Sequence, residues 1–398
     1  MRQLAVLSPL ILLFSASRGQ QLTAQQKSFQ ENNKRLVAEI FAGYDNEISP
    51  YNTKGSGVSY DKPTIDIGLQ YARLIRVLEP EMQHQNLVGV MLTWRDPRLT
   101  WNPTDFGGID HLFVTRDKIW FPGFYPCEST GAEPISKDYQ LQIKLNSTGH
   151  TTIFYSYSAY FSCEFKSAKF PFDKQECYYC FILNNYDSEE LSFRPYVTKH
   201  AYLYDTAEWS ISCHNTMYQP DIDPDFNMGL LFFNITLSRR PQFWLGLVIT
   251  PTFVIGSLIL IGLFFGGATD MVNNAVGLGL ATMMSMMVIV GILADSIAKS
   301  DTIPILGWYV IIEIVIITVA VVALLGQRAA CAAYHSVIRR VCRVQEGEKD
   351  RLHLFKGWLE QVLTQFANSN VTIFVIFATF HIVNLVWLLS QADMGSHK

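Results

Sequence analysis

The chain has 398 residues, 49% of them hydrophobic and only 17% charged, with a formal net charge of -4. That balance allows one or two sizeable cores, is poor in charge for a soluble protein, and offers no basic surface for nucleic acid. Its nine histidines are scattered without zinc-site spacing, so no metal or other cofactor is expected, and no nucleophile motif or phosphate-cradling glycine loop points to an enzyme.

Met1-Arg2, the apolar run Leu4 to Phe14 and the small residues Ser15, Ala16, Ser17 and Gly19 read as a signal peptide over residues 1–19, too short to cross a bilayer. Residues 20–240 are then expected outside. From Thr23 to Ala42, Phe29, Leu36, Val37, Ile40 and Phe41 recur at helical spacing, with Gly43 as terminator. From Thr64 to about Arg240 the pattern turns to alternation, as in Ile65, Ile67, Leu69 and Tyr71, then Val88, Val90 and Leu92, then Leu141, Ile143 and Leu145 before the turn Asn146-Ser-Thr-Gly149. Many short strands with turn signals predict an antiparallel β-sandwich. Sequons at Asn146 and Asn234 are compatible with a glycosylated exterior.

Four apolar stretches follow, Phe243 to Phe265, Ala275 to Ile297, Ile303 to Leu325 and Val371 to Leu389, each near the roughly 20 residues a spanning helix needs. Arg328, Arg339, Arg340 and Arg343 after the third run place that segment in the cytosol. The expected layout is three membrane helices within 241–327, a cytoplasmic segment 328–370, a fourth helix at 371–390 and an outer tail 391–398. In that layout the sequon at Asn370 would stay unused. Within the cytoplasmic segment, Leu352, Phe355, Leu359, Val362, Leu363 and Phe366 form one apolar helix stripe. The fold class is an extracellular antiparallel β-sandwich followed by a four-helix transmembrane domain, embedded in a lipid bilayer.

Five of the seven cysteines, Cys127, Cys163, Cys177, Cys180 and Cys213, precede the first apolar run, where an oxidising exterior lets them pair. Cys163 and Cys177 enclose thirteen residues with Phe170-Pro171-Phe172-Asp173 at the centre. A bridge closing so short a loop contributes about 3 kcal/mol and holds that tip in one shape. On the second apolar run, Gly277, Ala281, Met284, Val288, Gly291 and Asp295 recur at steps of three and four and make one helix stripe. That stripe could equally belong to a packed helix, with Asp295 snorkelling to the surface or pairing with Lys299. The neighbouring stripe, Leu278, Thr282, Ser285 and Ile289, is more polar.

The loop from Cys163 to Cys177, preceded by Trp94-Arg-Asp96, Trp101-Asn-Pro103 and Lys118-Ile-Trp120-Phe-Pro122 and followed by Arg239-Arg240-Pro241 and Pro251, resembles the Cys-loop family of pentameric neurotransmitter-gated ion channels, nicotinic-receptor-like, over nearly the whole mature chain. The resemblance implies a homo- or hetero-pentamer of related subunits in the plasma membrane, at synapses, with a small-molecule agonist bound at subunit interfaces. It also implies that the second span lines the pore, through Gly277, Ala281, Met284, Val288 and Asp295. Asp295 at the outer mouth favours cations, whereas Val276-Gly-Leu-Gly279 resembles an anion-channel pore, and Asn273-Asn274-Ala275 matches neither branch.

For coupling, the resemblance implies that Phe172 and Asp173 meet the membrane domain near Arg239 and the Ser300 to Pro304 link. At the agonist box this sequence departs from the family: Cys127 stands for a tyrosine, Asn184 for a tryptophan and Gly89 for an aromatic of the complementary face. Tyr125, Tyr186, Tyr218 and Phe226 are the residues left to rebuild a box, with Asp223 in the acidic run Asp221-Ile-Asp223-Pro-Asp225 offering charge to a cation or to protons. That run could as well be a solvated loop. Cys127 and Cys180 come onto neighbouring loops by the same resemblance, so a second bridge there would leave Cys213 free. A non-agonist-binding accessory subunit of a heteromeric channel, or an anion-selective channel, is the alternative reading.

Overall fold

The computed structural model describes residues 23–51, 63–127, 129–137, 140–183, 191–219, 229–265, 271–297, 302–344 and 371–392. The signal peptide, the apolar stripe from Leu352 to Phe366 and residues 393–398 of the expected outer tail lie outside the described residues, whereas Gln391 and Ala392 continue the fourth helix.

Helix α1 (Ala24–Ile40) begins at a reciprocal cap in which Thr23 Oγ1 accepts from the Gln26 amide and Gln26 Oε1 accepts from the Thr23 amide. Leu36 is its buried residue, packed with Phe106, Ile109 and Leu112. The strands are β1 (Thr64–Leu78), β2 (Gln83–Arg95), β3 (His111–Thr115), β4 (Tyr125–Pro126), β5 (Ala132–Pro134), β6 (Gln142–Asn146), β7 (His150–Ser162), β8 (Lys174–Leu183), β9 (Ser192–Tyr204), β10 (Trp209–Gln219) and β11 (Gly229–Arg239). One sheet runs β3-β6-β7-β2-β1-β9 with β5 also on β7, and the other runs β10-β11-β8-β4. The pairs are antiparallel except β1 with β9, which run parallel. Period-two alternation explains the packing: in β7, Thr151, Ile153, Tyr155, Tyr157, Ala159 and Phe161 point inward, and their neighbours along the strand point out.

Cys163, just past β7, is bonded to Cys177 in β8 with a Cα separation of 5.2 Å, so this bridge joins the two sheets. Cys127 is bonded to Cys180 within the second sheet, and Cys213 is free. Burial pushes the Cys213 thiol up to about 11, which keeps it protonated and unreactive at neutral pH.

Among the described residues, four helices are long and apolar enough to cross a membrane: a first span Gln242–Phe265, a second within Met271–Ser296, a third whose apolar part is Ile305–Ala330 and a fourth Val371–Ala392. The third continues unbroken to Val344, 40 residues in all. At 1.5 Å per residue it is roughly 60 Å long, about twice the hydrocarbon thickness. The expected boundary at residue 327 is therefore no break in the backbone; Arg328 to Val344 holds no glycine or proline and is rich in alanine.

Candidate functional site

The two domains meet around one guanidinium. Arg239 ends β11, three residues before the first residue of the first span, and its side chain is 1% exposed. Its Nε donates to Asp173 Oδ1 (2.8 Å), Nη1 to Glu208 Oε1 (2.7 Å) and Nη2 to Glu79 Oε1 (2.6 Å). Its faces lie over the rings of Trp209 (4.0 Å) and Phe170 (4.6 Å). Burial alone would lower the Arg239 pKa; the charge of Asp173, then that of Glu79, more than reverses this and raises it. Burial pushes the Glu79 carboxyl up, against the pull of Arg239.

As expected, Asp173 meets Arg239; among the described residues it bonds to no membrane helix, and Ser300 and Asp301 of the expected link lie outside them. Asp173 is buried, turned to Arg239, and accepts from Gln175 Nε2 at 2.6 Å. The residue of the loop that enters the membrane domain is Phe170, fully buried among Trp244, Val248, Leu306 and Tyr309, with Phe172 packed at the margin. The Phe170 carbonyl accepts from the Leu306 amide (3.3 Å), and the half-buried Pro304 accepts from the Trp308 amide (3.0 Å) at the head of the third span. The turn Glu79–Glu81 touches the second span. Nothing in the sequence picks out Glu79, Glu208, Trp209 and Trp244, because their partners lie far along the chain and leave no local pattern; Phe170 is legible as part of the Phe170-Pro171-Phe172-Asp173 tip.

Of the expected agonist residues, Tyr125 is 55% exposed on β4, opposite Ile182 of β8. Tyr218 is half-buried on β10, its ring centroid 5.5 Å from that of Phe193. Register runs Tyr218, Leu231, Phe181, Pro126 across the second sheet. Tyr125 and Tyr218 thus occupy one end of it, three strands or about 14 Å apart. β8 and β10 also end there, at Leu183 and Gln219. Asn184, Tyr186, Asp223 and Phe226 lie outside the described residues.

At Gly89 the outer face of the first sheet carries rings from neighbouring strands. A Cβ there would run into the Tyr71 ring and lie 2.8 Å from Phe154 Cζ, so Tyr71 and Phe154 cover the place where the resemblance expects an aromatic. Tyr71 donates to Ser156 Oγ (3.1 Å), and Tyr202, opposite it on β9, is 64% exposed.

On the second span, Gly277, Ala281, Met284, Val288, Gly291 and Asp295 are all exposed, Met284 at 67% and Val288 at 64%. Gly279, Thr282, Met286 and Leu293 are buried. By helical periodicity the first set lies half a turn away from the second. Of the neighbouring stripe, Leu278 and Ser285 are exposed, whereas Thr282 and Ile289 turn toward the subunit's own helices.

The neurotransmitter-gated ion-channel ligand binding domain family matches residues 33–241, just over half of the chain. Over 304 residues the chain is 27% identical to "acetylcholine receptor subunit alpha-type des-2" of Caenorhabditis elegans, covering 72% of the chain and 54% of that protein. It is 24% identical over 312 residues to "acetylcholine receptor subunit beta" of Rattus norvegicus, covering 73% and 60%. To "proton-gated ion channel subunit pbo-6" of Caenorhabditis elegans it is 23% identical over 304 residues, covering 74% and 69%. The chain spans between 51% and 60% of the length of the first three relatives it matches. With an extracellular ligand-binding domain and four membrane-length helices, its layout is that of a multi-pass receptor of the plasma membrane. The chain belongs to the nicotinic-receptor-like Cys-loop family of neurotransmitter-gated ion channels, a family of channels and not of enzymes.

Proposed function

We propose that the chain is one subunit of a pentameric, cation-selective channel, sited at synapses and opened by a small-molecule agonist bound outside the membrane between subunits. The observation that carries this is the second span, whose exposed stripe from Gly277 to Asp295 faces directly away from its own bundle. Five such stripes about an axis give apolar rings at Met284 and Val288, able to gate by dewetting, and an acidic ring at Asp295 that favours cations. One subunit's Tyr125 and Tyr218 end faces the next subunit's Tyr71, Phe154 and Tyr202, and ring faces there attract a cationic agonist. Agonist shifts the channel only by its difference in affinity between closed and open states. The shift travels through the Arg239 cluster and Phe170 to the second and third spans.

A second reading has its own observation. The Cys127–Cys180 bridge fills a position where a box tyrosine is expected, and Asn184 replaces the tryptophan. A subunit so altered can assemble with conducting partners and bind no agonist itself.

Voltage clamp of cells expressing this chain alone separates the two. Acetylcholine, biogenic amines, amino-acid transmitters and pH steps form the screen, since the relatives are named as acetylcholine receptor and proton-gated subunits. A gated current whose reversal follows sodium, and turns toward chloride in Asp295→Lys, is the expected outcome. Silence despite surface expression favours the accessory reading.

A further inference from the structure

The fourth span touches the rest of its subunit along one narrow stripe. Its buried residues are His381, Asn384 and Leu388, at steps of three and four, and the first two are polar. Lipid tails are as apolar as leucine, so apolar surface alone gives an outer helix no preferred rotation or depth. Close packing and polar side chains must supply both.

Their partners lie in the same subunit. His381 Nδ1 is 2.6 Å from Glu313 Oε2 on the third span, and His381 Nε2 is 3.1 Å from the Phe253 carbonyl and 3.0 Å from Ser257 Oγ on the first. Asn384 Nδ2 donates to Glu313 Oε1 (2.8 Å) and to the Tyr309 carbonyl (3.1 Å). The imidazole stacks on Phe253 with centroids 4.4 Å apart. Both ring nitrogens face acceptors, so a hydrogen must be held between Nδ1 and the Glu313 carboxyl. Glu313 is 0% and His381 3% exposed, and ionisable groups at this depth are costly unless they meet each other. Gly256 makes room: a Cβ there would lie 2.8 Å from His381 Cε1 and 3.4 Å from Glu313 Oε2.

We infer that Glu313, His381 and Asn384, closed over Ser257 and the Phe253 carbonyl, form an intramembrane clasp that fixes the rotation and depth of the fourth span. Held so, Leu388 and Leu385 complete the apolar cluster around Phe170, and the outermost helix is tied to the loop between Cys163 and Cys177. The clasp stands independently of which ion or agonist the chain serves.

The test is backbone hydrogen exchange, read by mass spectrometry, on the purified full chain in lipid nanodiscs. The double variant Glu313→Leu/His381→Leu removes both polar partners together, a change that buried pairs often tolerate. Gly256→Ala instead keeps every hydrogen-bonding group and sets a methyl against the ring. Amides of the fourth span are expected to exchange at least tenfold faster in each, with third-span amides and oligomer size unchanged. Gly256→Ala should add less than twofold once His381 is leucine. Wild-type protection in the double variant overturns the clasp, as does an equal Gly256→Ala effect in both backgrounds. A uniform rise over all spans overturns it too, since that marks general loosening.

Discussion

At the scale of single residues, Arg239 carries the largest concentrated stake. Two of its three carboxylate partners, Asp173 and Glu79, are buried, and Arg239→Ala would strand both without a counter-charge. Breaking a buried pair in this way costs about 3–5 kcal/mol. A lower melting temperature of the solubilised chain and reduced surface expression are the expected results, and Arg239→Lys should recover only part, because a compact ammonium cannot span the fork that guanidinium offers. Melting unchanged in Arg239→Ala would show that the cluster contributes nothing net. Arg239 itself was legible, as the Arg239-Arg240-Pro241 landmark before the first span. Its partners Glu79 and Glu208 were not, since they sit 160 and 31 residues away and each resembles any other glutamate.

At the scale of elements, the second span shows how far periodicity reaches. Steps of three and four grouped Gly277, Ala281, Met284, Val288 and Asp295 on one stripe, but two stripes competed and spacing could not rank them. Packing ranks them, because Thr282 of the rival set is buried and Ile289 packs against the first and third spans. Cysteines placed at Ala281, Met284 and Val288 should react with a small water-soluble thiol reagent in the assembled channel, while those at Met286 and Leu293 should stay at least tenfold slower. Equal reactivity of the two sets would remove the pore assignment from this face. The third span makes the complementary point. Its apolar run predicts a membrane crossing and misses the helical extension to Val344, because the apolar signal ends well before the helical backbone does.

At the scale of the whole molecule, the sandwich encloses a polar cluster that ties its stability to pH. His84 is 0% exposed beside Asn86 and stacked near Phe161, and Tyr179 donates to Asn86 Oδ1 at 3.0 Å. Burial lowers the His84 pKa from 6.5 to about 3. The unfolded chain therefore binds more protons than the folded one through that window. Stability of the outer domain falls as pH drops from about 6.5 and levels off near 3, by up to a few kcal/mol. Tryptophan-fluorescence melts of the purified chain should show this slope, and His84→Leu should flatten its upper part, above the range where carboxylates titrate. An unchanged slope in the variant would assign acid sensitivity elsewhere.

Strand and helix periods, the membrane-length apolar runs and the cystine loop are legible from residue order, because all of these are written in near neighbours along the chain. The three-dimensional fold alone shows that Phe170 packs into the membrane domain while Asp173 turns to Arg239. It alone also shows that Tyr71 and Phe154 close over Gly89, and that Glu313 meets His381. Each of those contacts joins segments distant in sequence, and which distant side chains meet is fixed by sheet order and helix rotation, which local pattern does not encode.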